Sequence, residues 1–343
     1  MGQLIETLPV KKIAIIGGGS WGTALALILS RSRRPHSISL WVHDAELASL
    51  IHETRENAVY LPGFKLPAEV AVTSDIAAAL TGAEIVVGVI PSAHARNIYT
   101  AMRPHLQPGT AIVSATKGID HTSLLRMSEL IEKIYADRPS LRVAVLSGPS
   151  FALEAARGDP TAVAIASEDS SLATEIQGEF AGASFRLYTN DDVTGVELGG
   201  AVKNIIAIAA GVCAGLGLGA NTIAALVTRG LAEMTRLAVA LGGRPETMAG
   251  LAGIGDLVLT CTGGLSRNHA VGVELGKGRT IQEILSTTRM VAEGVDSTSA
   301  TRELARGAAV EMPITEQMFS VLYERRSPKE AIRELMERRL KSE

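Results

Sequence analysis

Residues 11–22 read KKIAIIGGGSWG, and this stretch decides the fold. Its first half is a short run rich in isoleucine, which predicts a buried strand. Gly17, Gly19 and Gly22 follow at the spacing GxGxxG, and an alanine- and leucine-rich segment at residues 23–30 predicts a helix directly after them. In such a turn the first glycine permits the bend, the second lets the backbone approach a pyrophosphate, and the third lets the helix pack on the strand. The stretch therefore predicts a dinucleotide site, with an ordinary glycine turn as the alternative.

The alternation of strand and helix continues from this turn to Tyr188. Repeated βα units predict a parallel, doubly wound sheet of the Rossmann type. Helical patterns alone follow, so we predict an α/β fold with a dinucleotide-binding domain over residues 1–190 and an all-helical substrate and catalytic domain over residues 191–343. Further strands are expected at residues 37–42, 69–73, 84–90, 110–115, 142–146, 161–166 and 184–188, and the expected helices include residues 74–80, capped by Ser74, and residues 123–135.

The composition argues against several classes of function. The 343 residues include 33 basic and 36 acidic ones, for a net charge of −3, so no nucleic-acid partner is expected. Two cysteines and seven scattered histidines form no metal-ligand pattern, so no metal is expected. The N-terminus lacks the apolar core of a signal peptide, and a reducing, cytoplasmic location fits the cysteine usage.

The most apolar stretch, residues 195–221, reads GVELGGAVKNIIAIAAGVCAGLGLGAN. Its charge-free core, residues 205–220, is shorter than the ~20 residues that a membrane span needs. It therefore predicts a buried helix followed by a glycine loop, with no membrane span. Lys203 is unusual in this setting because a buried charge is costly. Either its side chain extends to water at one end of the helix, or it is a catalytic lysine at the floor of a cleft.

Several residues follow predicted strand ends, which is where ligands bind in such sheets. His43 and Asp44 occupy the position that reads the coenzyme ribose. An acidic residue suits the hydroxyls of NAD and a cationic one suits the phosphate of NADP, so the choice between the coenzymes stays open. Tyr60 forms an aromatic lip near this edge, and Pro91 and Lys117 end two further strands. The alternative for Tyr60 is a surface aromatic, that for Pro91 is a simple turn, and that for Lys117 is a solvated surface charge.

The apolar stretches of the helical domain contain few polar residues, and these are Lys203, Asn204, Asp256, Arg267 and Asn268. Reduction of a carbonyl by a nicotinamide coenzyme needs a proton donor and groups that hold the substrate. A lysine suits the first task if burial lowers its pKa towards the working pH, and Asp256 would orient the ammonium. Arg267 suits a phosphate or a carboxylate, although a surface ion pair is the alternative.

Eight motifs, in order along the chain, closely resemble those of the NAD(P)-dependent glycerol-3-phosphate dehydrogenases of the bacterial biosynthetic type. The VKN and GxGDLxxTC…SRN segments among them are far more specific than the glycine turn. The motifs are IIGGGSWGTALA at 15–26, NAVYLPG at 57–63, SATKGI at 114–119, SGPSFA at 147–152, GVELGGAVKNIIAIAAG at 195–211, GLAGIGDLVLTCTGGLSRN at 250–268, VAEGV at 291–295 and MPITE at 312–316.

This resemblance implies the reversible reduction of dihydroxyacetone phosphate to sn-glycerol 3-phosphate with NADPH or NADH. It also implies a cytoplasmic homodimer that supplies glycerophospholipid synthesis. Lys203 matches the proton donor and acceptor of the family. The matching substrate positions are Lys117, Gly148, Ser150, Asp256, Ser266, Arg267 and Asn268, and the matching cofactor positions are Ser20, Trp21, His43, Tyr60, Lys117, Ala152, Arg267, Val291 and Glu293.

To these sets we add residues that the chain's own pattern indicates: Lys203 and Asn204 for substrate, and the three glycines of the turn and Pro91 for cofactor. Two other functions remain as alternatives. A related reductase would act on a hydroxy acid and would need a carboxylate clamp. A nucleotide-sensing protein without chemistry should lack the lysine and the phosphate-binding residues, and this chain has both.

Overall fold

The computed structural model describes residues 10–138, 140–286 and 292–339, so Val291, expected at the cofactor site, lies outside the described residues. A single eight-stranded sheet has the strand order β3-β2-β1-β4-β5-β6-β7-β8. The strands are β1 (Lys11–Ile16), β2 (His36–Trp41), β3 (Ala71–Thr73), β4 (Ile85–Gly88), β5 (Ala111–Ser114), β6 (Arg142–Ser147), β7 (Thr161–Ala166) and β8 (Phe185–Asn190). The order reverses between β1 and β4, as expected of a doubly wound sheet.

Helices cover both faces of this sheet. Ile13 and Ile15 of β1 pack into one apolar cluster, whereas Ala14 and Ile16 pack into another on the opposite face. The helices are α1 (Ser20–Ser30), α2 (Ala45–Thr54), α3 (Ile76–Leu80), α4 (Ser92–Met102), α5 (Met127–Ile134), α6 (Ala152–Arg157), α7 (Ser170–Phe180), α8 (Val193–Gly215), α9 (Ala220–Ala240), α10 (Pro245–Met248), α11 (Asp256–Thr262), α12 (Arg267–Gly276), α13 (Ile281–Ser286), α14 (Glu293–Gly307), α15 (Pro313–Tyr323) and α16 (Pro328–Met336). The predicted α/β fold of the Rossmann type is confirmed.

Two strands, β7 and β8, run against the prediction of a parallel sheet. β7 is antiparallel to β6, with Ser147 opposite Ala164, and β8 runs parallel to β7. The connection between β6 and β7 contains only α6, which has six residues and spans about 9 Å. A strand of six residues spans about 20 Å, so α6 by itself does not return the chain to the start of β6. The chain therefore turns back at the carboxyl end of β6.

Two predicted helix starts are also wrong. Asp75, not Ser74, caps α3 by accepting bonds from the amides of Ala77 and Ala78. The helix expected from residue 123 begins only at Met127. Leu124 has a φ of 57°, in the left-handed region, which is incompatible with a regular helix.

α8 is the central element of the helical half. Every residue from Gly195 to Cys213 on this helix is buried, and it packs against α9, α11, α12 and α14. By length and composition alone α8 could cross a membrane, but 89% of its apolar window is buried inside the protein. The bent pair formed by residues 245–262 and 267–276 passes the same test if it is counted as one span. Burial on all sides is typical of the core helix of a globular domain, as the sequence predicts.

Candidate active site

The glycine turn has the geometry that a dinucleotide needs. Gly17 has a φ of +131°, and a Cβ placed on Gly22 would lie 1.8 Å from the carbonyl oxygen of Gly17. Only glycine therefore fits at these two positions. A Cβ on Gly19 would meet nothing within 4 Å, so its backbone faces open space at the start of α1. A free helix N-terminus beside an open glycine fits a pyrophosphate.

The residues expected to contact the rest of the coenzyme lie around this turn. The Ser20 hydroxyl donates to the carbonyl of Tyr60 at 2.7 Å, which holds the predicted aromatic lip against the turn. His43 is exposed beyond the end of β2, and its ring lies 5.6 Å from that of Trp41. The Asp44 carboxylate instead accepts bonds from the first amides of α2, at 2.9 and 3.0 Å. Asp44 takes both capping bonds on Oδ1, and both side chains are exposed at the position expected to face the ribose.

Four more of the predicted cofactor residues lie at the starts of helices. Trp21 is half-buried in the first turn of α1, and Pro91 immediately precedes α4. Ala152 begins α6 and Glu293 begins α14. Pro91 and Ala152 each follow a strand of the parallel part of the sheet, at its ligand-binding edge.

Three charged side chains meet where the sheet and the helical half adjoin. The Lys203 Nζ donates to Asp256 Oδ1 at 2.6 Å, and the Lys117 Nζ donates to Asp256 Oδ2 at 2.6 Å. Lys203 and Asp256 are both buried, with relative exposures of 6% and 1%. One carboxylate therefore orients two ammonium groups, one from each half of the protein. Lys203 does not extend to water at a helix end, so that alternative is wrong.

The pKa values of this group follow from its burial and charges. Burial, opposed by the charge of Asp256 and reinforced by that of Lys117, lowers the pKa of Lys203 to about 8. Burial alone would raise the pKa of the Asp256 carboxyl, but the two ammonium groups hold it below its usual range. A lysine with a pKa near the working pH exchanges protons readily in both directions.

Thr260 is a member of this group that the sequence analysis did not assign. Its Oγ1 donates to the Asp256 carbonyl at 2.6 Å and accepts from Lys203 Nζ at 2.7 Å. Thr260 stands four residues after Asp256 on α11, so both side chains lie on one helix face. That spacing could have identified it from the sequence. A turn of π-helix, Leu251–Gly255, directly precedes Asp256, and such turns are frequent at functional sites.

The predicted substrate residues on the β6 side adjoin Lys117. The Lys117 Nζ also donates to the Gly148 carbonyl at 3.1 Å, and the Ser150 hydroxyl donates to the same oxygen at 2.9 Å. Gly148 has a φ of +146°, and a Cβ there would lie 2.9 Å from the Val163 backbone, so a side chain is excluded. A Cβ on Gly200 of α8 would lie 2.6 Å from the Ser147 hydroxyl oxygen. These glycines let the sheet edge approach α8 closely.

The start of α12 brings the other predicted substrate residues to the same place. The Ser266 hydroxyl caps this helix by accepting from the amide of His269 at 3.1 Å. The Asn268 amide nitrogen donates to Asn204 Oδ1 at 3.0 Å, and the Asn268 Oδ1 accepts from the amide of Gly294 at 3.0 Å. Asn204 and Asn268 therefore link α8, α12 and the start of α14.

Arg267 is the exposed cation of this region. Within the described part of the chain its guanidinium makes no hydrogen bond or ion pair, so its fork is available to an anion. Burial raises the pKa of the neighbouring Glu293 carboxyl, although the charge of Arg267 opposes that rise. The structure thus gathers Lys117, Gly148, Ser150, Lys203 and Asp256 in one group. It places Asn204, Ser266, Arg267 and Asn268 beside that group, around α8.

A dinucleotide turn after β1 and a buried lysine–aspartate–lysine group, whose Lys117 follows β5 at the same edge of the sheet, define a nicotinamide-dependent dehydrogenase. The described residues contain no cluster of three or more histidine, cysteine, aspartate or glutamate side chains that could hold a metal ion. The chain belongs to the NAD(P)-dependent glycerol-3-phosphate dehydrogenase family. Models of the NAD-dependent glycerol-3-phosphate dehydrogenase N-terminus and C-terminus match residues 12–173 and 192–333.

Individual relatives agree with this family. The chain is 56% identical over 330 residues to a glycerol-3-phosphate dehydrogenase [NAD(P)+] of Koribacter versatilis, covering 96% of this chain and 98% of the relative. It is 54% identical over 334 residues to the protein of that name from Acidobacterium capsulatum, again with 96% and 98% covered. The crystal structure of glycerol-3-phosphate dehydrogenase from Coxiella burnetii superposes with a TM-score of 0.91 at 40% identity, covering 96% of this chain and 99% of that one.

Proposed function

We propose that this protein catalyses the reversible reduction of dihydroxyacetone phosphate to sn-glycerol 3-phosphate with NADPH or NADH. The observation that carries the proposal is the buried Lys203, held by Asp256 and Thr260 at 2.6 and 2.7 Å. An oriented lysine with a pKa of about 8 supplies the proton that a carbonyl oxygen needs as it becomes a hydroxyl. Family membership supports the choice of substrate.

When bound, the nicotinamide coenzyme supplies the hydride, which becomes bonded to the carbonyl carbon. Lys203 transfers its proton to the carbonyl oxygen in reduction and takes it back in the reverse direction. Asp256 stays ionised beside it and keeps the ammonium oriented, because Lys117 and Lys203 hold the carboxyl pKa low. Lys117 adds a second positive charge near the oxygen, where negative charge develops.

Arg267 and the start of α12 would bind the phosphate of the substrate. The arginine offers a planar fork of N–H groups, and the helix adds free amides and its dipole. Support comes from the exposure of Arg267 and from the Asn204–Asn268 bond, which fixes the start of α12 beside α8. A hydroxy acid offers no phosphate to Arg267.

Turnover assays with purified protein test the proposal. Dihydroxyacetone phosphate is supplied with NADPH or NADH, and loss of nicotinamide absorbance is followed for each coenzyme side by side. We expect turnover with at least one coenzyme and none with a 2-keto acid in place of the substrate. No turnover of dihydroxyacetone phosphate with either coenzyme would remove the proposed function. The ratio of the two kcat/KM values decides the coenzyme preference.

Four further parts of the proposal rest on the resemblance and on the chain pattern. We propose two domains, residues 1–190 and 191–343, and the end of β8 at Asn190 supports that division. We propose a homodimer, which light scattering of the purified protein tests. We propose a cytoplasmic location and a role in glycerophospholipid synthesis. Cell fractionation and the lipid content of a depleted strain test these two.

A further inference from the structure

Asn57 is a completely buried polar residue in the loop between α2 and β3, with a relative exposure of 0%. α2 ends at Thr54 because Arg55 adopts a left-handed φ of 59°. The chain then leaves the helix and crosses to the glycine turn. Asn57 is thus carried into the interior at the edge where the coenzyme binds, although it lies outside the predicted site set.

Every polar group of the Asn57 side chain is used there. The Nδ2 donates to the carbonyl oxygen of Gly18 at 2.8 Å and to the hydroxyl oxygen of Thr23 at 2.8 Å. The Oδ1 accepts from the amide of Tyr60 at 3.2 Å. Since the Nδ2 carries two hydrogens, one serves each acceptor. A single side chain therefore joins the glycine turn, the first helix and the loop that carries Tyr60.

The bond to Gly18 fixes a peptide plane of the glycine turn. In a trans peptide the carbonyl of one residue and the amide N–H of the next point in opposite directions. With the Gly18 carbonyl held towards the buried Asn57, the N–H of Gly19 points away from Asn57. A Cβ on Gly19 would meet nothing within 4 Å, so the backbone is open to a ligand there. That amide has no partner within the described residues. Its direction suits a pyrophosphate oxygen, and glycine by itself would not impose it.

The bond to Tyr60 fixes the second wall of the same site. The Tyr60 amide donates to Asn57 and its carbonyl accepts from Ser20, at 3.2 and 2.7 Å. The Tyr60 amide is thus bonded to Asn57, and the Tyr60 carbonyl is bonded to Ser20 at the end of the glycine turn. The glycine turn and the aromatic lip form one hydrogen-bonded unit with Asn57 at its centre.

We propose that Asn57 is a positioning residue for the nicotinamide coenzyme, which it orients through Gly18 and Tyr60 without touching it. The proposal deepens the proposed function and rests on it only for the identity of the coenzyme. A residue that merely stabilises the fold would lower thermal stability without selecting one ligand. Asn57 should affect coenzyme binding and leave phosphate binding at Arg267 unchanged, because both of its bonded backbone groups lie beside the glycine turn.

Two variants test this role. Asn57→Asp keeps the size and the acceptor for Tyr60 but removes the donor to Gly18. Asn57→Ser removes the same donor from its place without burying a charge, so it serves if the first variant does not fold. Thr110→Val is the control, because Thr110 is also buried, its hydroxyl donates to the Ala83 carbonyl, and it precedes β5 at the opposite edge of the sheet from the glycine turn.

Coenzyme binding is measured directly, from the fluorescence of NADH and NADPH, and turnover is measured in parallel. In the Asn57 variants we expect the dissociation constant to rise about tenfold or more. The KM for dihydroxyacetone phosphate and kcat at saturating coenzyme should stay within about threefold of the parent values. Thr110→Val should leave the dissociation constant unchanged.

A folded Asn57 variant with the parent's dissociation constant would overturn the proposal. So would an equal rise in the KM values of coenzyme and substrate, which indicates general loosening. Coenzyme binding is measured without turnover, so the test of Asn57 does not depend on whether the protein reduces dihydroxyacetone phosphate. If the parent protein binds NADH but does not reduce dihydroxyacetone phosphate, the proposed function fails while the test of Asn57 stands.

Discussion

Lys203 owes its chemistry to its immediate neighbours. The ammonium lies in an apolar helix and would be unfavourable without Asp256 and Thr260, which accept its hydrogen bonds. Burial lowers the pKa of Lys203 and so favours the neutral amine, whereas the charge of Asp256 raises the pKa and favours the ammonium. The balance leaves a group that both gives and takes a proton near neutral pH.

Replacement of Lys203 by methionine should abolish most turnover while leaving coenzyme binding intact. Methionine has similar length and suits the apolar helix, so the fold should survive, and Lys117 still pairs with Asp256. Loss of a general acid lowers kcat by about 10²- to 10⁴-fold. Steady-state kinetics and NADH fluorescence measure the two effects. Lys329→Met, at an exposed lysine, is the control, and equal turnover in both variants would remove Lys203 from the mechanism.

The two directions of the reaction should have opposite pH profiles around pH 8. Reduction needs the protonated lysine, so its kcat/KM should be level below the pKa of about 8 and fall above it. Oxidation needs the neutral amine, so its kcat/KM should rise through the same range and level off above it. Initial rates in both directions between about pH 7 and 9.5 test this behaviour. Parallel profiles in the two directions would contradict it.

Arg267→Ala should chiefly weaken binding of the substrate phosphate. Removal of the fork should raise the KM for dihydroxyacetone phosphate by about 10- to 100-fold. The small rate with dihydroxyacetone itself, which lacks the phosphate, should change much less. Arg229→Ala, at an exposed arginine of α9, is the matched control. An equal loss with both substrates would show that Arg267 does not recognise the phosphate.

At the scale of elements, four glycines decide where α12 lies relative to α8. Cβ atoms on Gly211 and Gly215 of α8 would lie 2.0 and 2.2 Å from carbonyl oxygens of α12. Cβ atoms on Gly272 and Gly276 of α12 would lie 2.0 and 2.5 Å from carbonyl oxygens of α8. The two backbones are therefore in direct contact, as the spacing of small residues four apart on each helix permits. This contact holds the start of α12 beside the catalytic helix.

Gly272→Ala should push the two helices apart. The new methyl group would meet the backbone of Ile208, which cannot move independently of α8. We expect a loss of about 1–3 kcal/mol of stability and a lower kcat/KM, because the start of α12 shifts. Urea denaturation and kinetics measure both effects. Gly307→Ala, where a Cβ meets nothing within 4 Å, should change stability by less than about 1 kcal/mol. Equal stability in the two variants would contradict the close contact.

For the whole molecule, a buried ion pair joins the sheet half to the helical half. Glu197 of α8 accepts from Arg126 at 2.7 Å, from the Ser128 amide at 2.8 Å and from its hydroxyl at 2.6 Å. Burial raises the pKa of this carboxyl, and Arg126 and Ser128 oppose the rise. The bonded residues lie at the start of α5, just after the loop that carries Lys117. The pair therefore fixes that loop relative to the helix of Lys203.

Glu197→Ala should destabilise the protein by about 3 kcal/mol, because the buried donors of Arg126 and Ser128 lose their acceptor. Turnover should fall as well, since Lys117 loses its fixed position. The midpoint of urea denaturation and kcat/KM measure these effects. Glu334→Ala breaks the exposed pair with Arg326 and should change stability by less than about 1 kcal/mol. Equal effects of the two substitutions would show that the buried pair does not join the halves.

The sequence by itself determined the kind of fold and the main participants in the site. The strand before Gly17 and the helix after Gly22 predict the dinucleotide turn, because a local pattern of apolar residues and glycines specifies both elements. Local patterns in the sequence also predict the buried helix that carries Lys203 and the start of α12 at Ser266. The family motifs supplied the substrate and the order of the site residues along the chain.

Only the tertiary structure decided which of these residues meet. The Lys203–Asp256–Lys117 group joins residues 53 and 139 positions apart, and no periodicity records such a distance. The reversal of β7 against β6 and the contacts of Asn57 with the glycine turn likewise depend on how the chain packs after each loop. Local sequence fixes periodicity and turns, whereas contacts between distant segments depend on the packing of the whole chain. The chemistry of Lys203 therefore depends on the tertiary structure, because its pKa is set by burial and by two charges that other elements bring close to it.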